Sequence, residues 1–155
     1  MKTLVAFYSR TGNTRRLAQA LAAKLAADTD EITIPDNRSG ILGFLKAGRE
    51  SMLKKTPRIN ASSKNPSDYD VVVVGTPVWG SNLASPVRTY LRQNKGRIRK
   101  TAFFCTMNSS GSEKVFTDME EESGLHPKAA LAVAEKQLSD GSFESEAEEF
   151  ASKLS

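Results

Sequence analysis

Short unbroken apolar runs alternate along this chain with longer stretches in which apolar residues recur every three or four positions. Leu4 to Tyr8 is the first run and predicts a buried strand. Thr14 to Ala27 carries Leu17, Ala18, Leu21, Ala22 and Leu25 on one face and predicts a helix. Glu31 to Ile34 predicts a short second strand, stopped by Pro35. A polar turn, Asp36 to Gly40, leads to a second helix near Ile41 to Lys54. Its Ile41, Phe44, Leu45, Met52 and Leu53 lie at helical spacing, and Gly43 and Gly48 weaken it. Thr56 to Asp70, rich in Pro, Asn, Ser and Lys, reads as an irregular connector. Val71-Val72-Val73-Val74-Gly75 suits a central parallel strand buried on both faces. Ser85-Pro86, a cap followed by proline in the first turn, starts a helix with Val87, Tyr90 and Leu91. Thr101 to Thr106 predicts a fourth strand and Glu113 to Ser123 a helix. Ala129 to Ala134 predicts a fifth strand, and Phe143 to Leu154 a final helix burying Phe143, Ala147, Phe150 and Leu154.

Five strands alternating with five helices in 155 residues imply one domain, residues 1–155, of the α/β class. The economical arrangement is a doubly wound three-layer sandwich around a five-stranded parallel sheet of order 2-1-3-4-5. In such sheets ligands bind at the carboxyl edge where the winding reverses, beside strands one and three. Three loops fall there: Ser9 to Thr14, Thr76 to Ser85 and Thr106 to Ser112.

Each loop offers a different chemistry. Ser9-Arg10-Thr11-Gly12-Asn13-Thr14 follows a strand and opens a helix, so its N–H groups and the positive helix end can face one anion. Gly12 permits the turn, and the hydroxyls of Ser9, Thr11 and Thr14 add donors. The loop is short, which favours a phosphate monoester over a polyphosphate. An ordinary helix cap, with Asn13 or Thr11 satisfying the first amides, is the alternative. The second loop, Thr76-Pro77-Val78-Trp79-Gly80 and onward, sets the only tryptophan of the chain at the carboxyl edge, where a planar ligand finds a stacking surface. Its alternative is that Trp79 merely covers the end of the sheet. The third, Thr106-Met107-Asn108-Ser109-Ser110-Gly111, is small and polar and suits the edge of a heterocycle.

A phosphate cradle, an aromatic platform and a polar clamp on one edge resemble the flavodoxin family, over essentially the whole chain in length and element order. The resemblance implies a flavodoxin-like fold and FMN as cofactor. It implies that Ser9, Arg10, Thr11, Gly12, Asn13 and Thr14 hold the ribityl phosphate. Thr76, Pro77, Val78, Trp79 and Gly80 would flank the isoalloxazine ring, and Thr106, Met107, Asn108, Ser109 and Gly111 would supply the third side. The family neutralises the phosphate with amides and hydroxyls, so the Arg10 side chain is expected to be mainly solvated. Two departures stand out. The third loop offers Met107 and Asn108 where electron carriers press a second aromatic on the ring, and neither the second nor the third loop contains an acid. A low-potential carrier, which crowds acids around the flavin, is therefore the second reading. A small reductase acting with NAD(P)H or a quinone is the first, and a flavin-less scaffold the third. None of them needs a catalytic side chain from the protein. A response-regulator-type module, which shares the sheet, needs an aspartate at the end of strand three, where this chain has Thr76-Pro77.

Composition removes other classes. Apolar and charged fractions of 39% and 26% are those of an ordinary globular chain. Met1 to Leu4 runs straight into a strand, no apolar run approaches membrane-spanning length, and the single cysteine, Cys105, fits a reducing cytoplasm. One histidine and one cysteine cannot make a Cys/His cluster for a structural zinc site. His126 reads as a solvated loop residue, and Cys105 as a buried strand thiol rather than a redox centre. Net charge is +4, with 18 Lys/Arg against 7 Asp/Glu in residues 1–100 and 4 against 11 thereafter. The basic run Arg88, Arg92, Lys95, Arg97, Arg99, Lys100 lacks the interleaved aromatics of a nucleic-acid surface, so a solvated rim is expected, or a face for an acidic redox partner.

Overall fold

The computed structural model describes residues 1–35 and 40–155; of the polar turn expected at Asp36 to Gly40, only Gly40 lies within them. Five parallel strands form the sheet: β1 (Thr3–Phe7), β2 (Asp28–Glu31), β3 (Val71–Trp79), β5 (Thr101–Met107) and β6 (Ala130–Ala134). Their order is β2-β1-β3-β5-β6, the 2-1-3-4-5 winding once the two-residue β4 (Asn82–Leu83) is set aside. β4 pairs only with the end of β3, antiparallel.

The alternation of side chains along β3 builds both cores. Val72 and Val74 join Leu4, Ala6, Val87 and Met119 on one face. Val71 and Val73 join Val5, Leu17, Leu21 and Phe150 on the other. All four valines are wholly buried, each contributing about 1.5–3 kcal/mol of apolar burial. Helices α1 (Asn13–Leu25) and α6 (Phe143–Ser152) bury Leu17, Ala18 and Leu21, and Phe143, Ala147 and Phe150, the residues their spacing selects. Helices α3 (Ser85–Gln93) and α4 (Ser112–Ser123) cover the opposite face.

Three elements depart from the expected boundaries. β2 lies three residues earlier than the run Glu31 to Ile34 and is polar, an edge strand whose Asp28 accepts a bond from the Tyr69 hydroxyl at 2.7 Å. A short helix, α5 (Glu135–Asp140), follows β6 directly and buries only Leu138. Helix α2 (Gly40–Met52) turns its small residues inward. Ala47 and Ser51 are buried, one helical turn apart and in line with buried Gly43. Phe44, Leu45 and Met52, whose spacing predicts the helix, and Leu53 just after it are 56%, 60%, 65% and 49% exposed.

Part of the uneven charge is paired where the halves of the chain meet. Arg88 is buried against Glu122 and Asp118 of α4, and Arg92 donates to Glu122 at 3.0 Å. Burial alone would raise the Glu122 pKa, but bonds from Arg92 and Arg88 hold it below the ordinary value. Lys24 meets Glu144 and Glu148, each at 3.1 Å. Two members of the basic run are thus ion-pair partners between helices rather than a solvated rim.

Candidate functional site

The first loop ends in an open helix. Gly12 stands at the N-cap of α1 with φ 102°, a conformation that disfavours any side chain, so the cap position itself supplies no side-chain acceptor. Neither Asn13 nor Thr11 plays the capping role. Instead the Ser9 hydroxyl accepts from the N–H of Gly12 and of Arg15, both at 3.2 Å, which curls the loop around it. The amides of Asn13 and Thr14 have no carbonyl within the helix to bond, and the first turn holds no acid. These donors and the helix dipole can hold an anion.

The second loop is not irregular. β3 continues through Pro77 to Trp79, turns at Gly80 and Ser81 with φ 54° and 61°, and returns as β4. Val78 faces Leu83 and Trp79 faces Asn82 across this hairpin, a two-residue turn with positive φ at both central positions. Thr76, wholly buried, braces it: its hydroxyl donates to the Pro77 carbonyl at 2.9 Å and accepts from the Ala84 N–H at 3.1 Å. The Trp79 indole is half-buried and meets the Tyr8 ring edge-on, with centroids 5.6 Å apart.

The third loop closes on the first two. Thr106 Oγ1 lies 2.7 Å from Thr14 Oγ1, joining the end of β5 to the start of α1. A Cβ on Gly111 would stand 2.9 Å from Val78 Cγ1, so this glycine seats the loop on the hairpin. A cavity of about 180 Å³ results, lined from the first loop by Arg10, Thr11, Asn13 and Thr14. Pro77, Val78 and Trp79 line it from the second loop, and Thr106, Met107 and Asn108 from the third. Ser9 and Gly12 shape the loop from behind it, Gly80 sits at the hairpin tip, and Ser109 is an exposed residue outside it.

A family model described as flavodoxin matches residues 2–149. The chain belongs to the flavodoxin family. Solved structures agree with the fold. A flavoprotein from Lactobacillus acidophilus NCFM, in complex with FMN, superposes with a TM-score of 0.75 at 22% identity, covering 91% of this chain and 98% of that one. The apo-form of the flavoprotein from Lactobacillus acidophilus NCFM gives 0.67 at 21%, covering 89% and 95%. Two-electron reduced Megasphaera elsdenii flavodoxin gives 0.61 at 16%, covering 99% of each.

Against that family background, two residues that line the cavity, Phe44 and Glu135, escaped the sequence reading, and the side chain of a third, Arg10, is placed differently from what was expected. Arg10 is half-buried rather than mainly solvated: it donates to the Gly40 carbonyl at 3.0 Å and lies 5.3 Å over the Phe44 ring. It thereby ties the anion loop to α2, and Phe44 becomes a wall of the cavity. Glu135, at the start of α5, also reaches the cavity and accepts from Asn13 Nδ2 at 3.4 Å. No local signal marks Phe44 or Glu135, because only the tertiary fold brings α2 and α5 to this edge. Cys105 is wholly buried and burial pushes its thiol up to about 12, so it is no thiolate at neutral pH. His126 is a surface residue 2.9 Å from Glu120. Among the described residues no cluster of ligating side chains suits a metal, and no helix is long and apolar enough to cross a membrane.

Proposed function

We propose that this chain, as one domain, binds FMN at the carboxyl edge of its sheet and serves as a redox protein, exchanging hydride or electrons through the flavin. The observation that carries the reading is the start of α1, where the loop folds around Ser9 with Gly12 at positive φ, the Asn13 and Thr14 amides are left without a helical acceptor, and the first turn holds no acid. The residues suit the cofactor. Asn13 and Thr14 amides, with the hydroxyls of Thr11 and Thr14, would hold the phosphate. Trp79 would take the ring, and Thr106, Met107 and Asn108 its edge. Bound FMN supplies the redox chemistry; the protein orients it and sets its field. Membership of the flavodoxin family supports the choice of FMN over another phosphate ester.

A small NAD(P)H- or quinone-linked reductase is the favoured role. Pro77, Val78 and Trp79 of the second loop and Met107 and Asn108 of the third include no carboxylate to oppose an anionic reduced flavin, Glu135 lies beside Asn13 of the first loop, and no aromatic from the third loop closes the second face. A one-electron carrier remains the second reading; it differs in turning over only with a partner reductase. A reducing cytoplasm suits the lone buried thiol of Cys105.

Titration of the purified protein with FMN and with riboflavin tests the binding. FMN is expected to bind one per chain and riboflavin at least a hundredfold more weakly, the loss expected of about 3 kcal/mol in phosphate contacts. Equal affinities would remove the anion seat. Glu135 gives a second readout. Its carboxylate beside the seat opposes a dianion, so Glu135→Gln is expected to tighten FMN by roughly two- to fivefold at low salt, an advantage that shrinks as salt is added. Unchanged or weaker FMN binding in that variant would place the phosphate elsewhere.

A further inference from the structure

A cavity of about 500 Å³ is bounded by the edge strand β2, the connector at residues 58–66 and the end of α3. It shares no lining residue with the loop cavity. Its volume falls within the roughly 300–1,000 Å³ typical of small-molecule sites.

Two buried polar groups in its wall lack the partners that burial ordinarily demands. Asp30 of β2 is only 9% exposed, and one neutral hydroxyl serves its carboxylate, that of Ser62. Among the described residues no cation forms an ion pair with it. Lys64 Nζ lies 3.9 Å from Asp28 instead, and Arg15 takes the neighbouring Glu31. Tyr90 of α3 is 1% exposed, and its hydroxyl bonds nothing. Burial, and after it the negative charge of Asp30, push the Tyr90 pKa up, so the hydroxyl ends near that carboxylate and stays a neutral phenol. A carboxylate without a cation and a phenol oxygen without a donor, close together in one cavity, are the complement of an ammonium group.

Two exposed guanidiniums in the same wall have the opposite sign. Arg58 and Arg97 meet no carboxylate, and Arg97 bonds only the neutral Asn65 Oδ1, at 3.0 Å. Such a pair suits a carboxylate. A third charge on the ligand would find Glu31 and Lys64 already drawn to Arg15 and Asp28, and beside them Ile32, Ile59, Gln93 and Asn94 are uncharged. We propose that this cavity binds a free α-amino acid with an uncharged side chain, its ammonium on Asp30 and Tyr90 and its carboxylate on Arg58 and Arg97. The flavin reading plays no part in it.

Calorimetric titration of the dialysed protein with L-serine, L-valine and L-glutamine tests the site. At least one of them is expected to saturate a single site per chain. Its analogues lacking the ammonium or the carboxylate are expected to bind about tenfold more weakly or worse. Asp30→Asn keeps an acceptor for Ser62 and removes the charge, and is expected to weaken the amino acid by about tenfold or more. Tyr90→Phe is expected to weaken it about two- to fivefold, while the thermal midpoint of the empty protein stays level or rises, because the lost hydroxyl had no partner. No saturable uptake of any of the three, binding that survives Asp30→Asn, or equal binding of the analogue without the ammonium would each overturn the proposal. So would a Tyr90→Phe protein that melts lower yet binds as wild type, since the hydroxyl would then serve the fold.

Discussion

Changing Thr11 to Ala and Gly12 to Val together is expected to weaken FMN binding by about a hundredfold or more, while the protein stays folded. Two physical effects combine. Thr11 is exposed at the cavity and loses a hydroxyl donor to the phosphate. Gly12 holds φ 102°, where a β-branched side chain costs of order 1–3 kcal/mol. The loop relieves that strain by turning its peptide units, which takes the Gly12 N–H from Ser9 and swings the first α1 amides off the anion. The two losses together are of order 3 kcal/mol, the hundredfold expected. The hydrophobic core contains neither residue, so far-ultraviolet circular dichroism and the cooperative melt are expected to persist. Flavin fluorescence titration reads the affinity. Wild-type affinity in this double variant would mean that the phosphate lies away from the start of α1, and the redox role would lose its foundation.

What the sequence revealed, and what it concealed, follows from how far each signal reaches along the chain. The valine run of β3 and the spacing of α1 and α6 are local patterns, and each selects the buried residues with no knowledge of the rest. The first loop is equally local, since strand, turn and helix start lie within a dozen residues. In helix α2 the apolar spacing marks the helix but not its buried side. Its inward stripe is Gly43, Ala47 and Ser51, small residues that allow close approach, and its large apolar side chains are left at the surface beside the cavity. The hairpin was hidden by Pro77, which argues against a strand, and by Ser81, which takes a positive φ without a glycine to mark it. Glu135 was out of reach altogether: it stands 122 residues from the asparagine it bonds. Long-range pairings of this kind also explain the charge asymmetry, which looks like a binding face in one dimension and resolves into contacts such as Arg88 with Glu122 in three.

The second large effect is structural and centres on Gly75, where β3 passes between β1 and β5. Gly75 pairs with Phe104 in the sheet register, and the Phe104 ring lies across it. A Cβ at Gly75 would stand 2.0 Å from Phe104 Cζ and 2.3 Å from Cε2, far inside contact distance. Phe104 is wholly buried and packed in the core with Phe7, Leu17 and Val133, so its ring cannot swing into solvent. Gly75→Ala is therefore expected to cost about 3 kcal/mol or more, the upper range of overpacking, and to lower the thermal midpoint by roughly 6–12 °C. The position also lies just before Thr76 and the hairpin that carries Trp79, so displacement of β3 is expected to weaken FMN binding severalfold in the molecules that remain folded. Shortening the opposing ring provides the decisive control. Phe104→Leu alone opens space and costs stability, but in the Gly75→Ala background it removes the clash, so the double variant is expected to be more stable than the sum of the two losses predicts. Strict additivity, or a Gly75→Ala midpoint within about 2 °C of wild type, would show that β3 and β5 are held together by something other than this ring lying over a glycine.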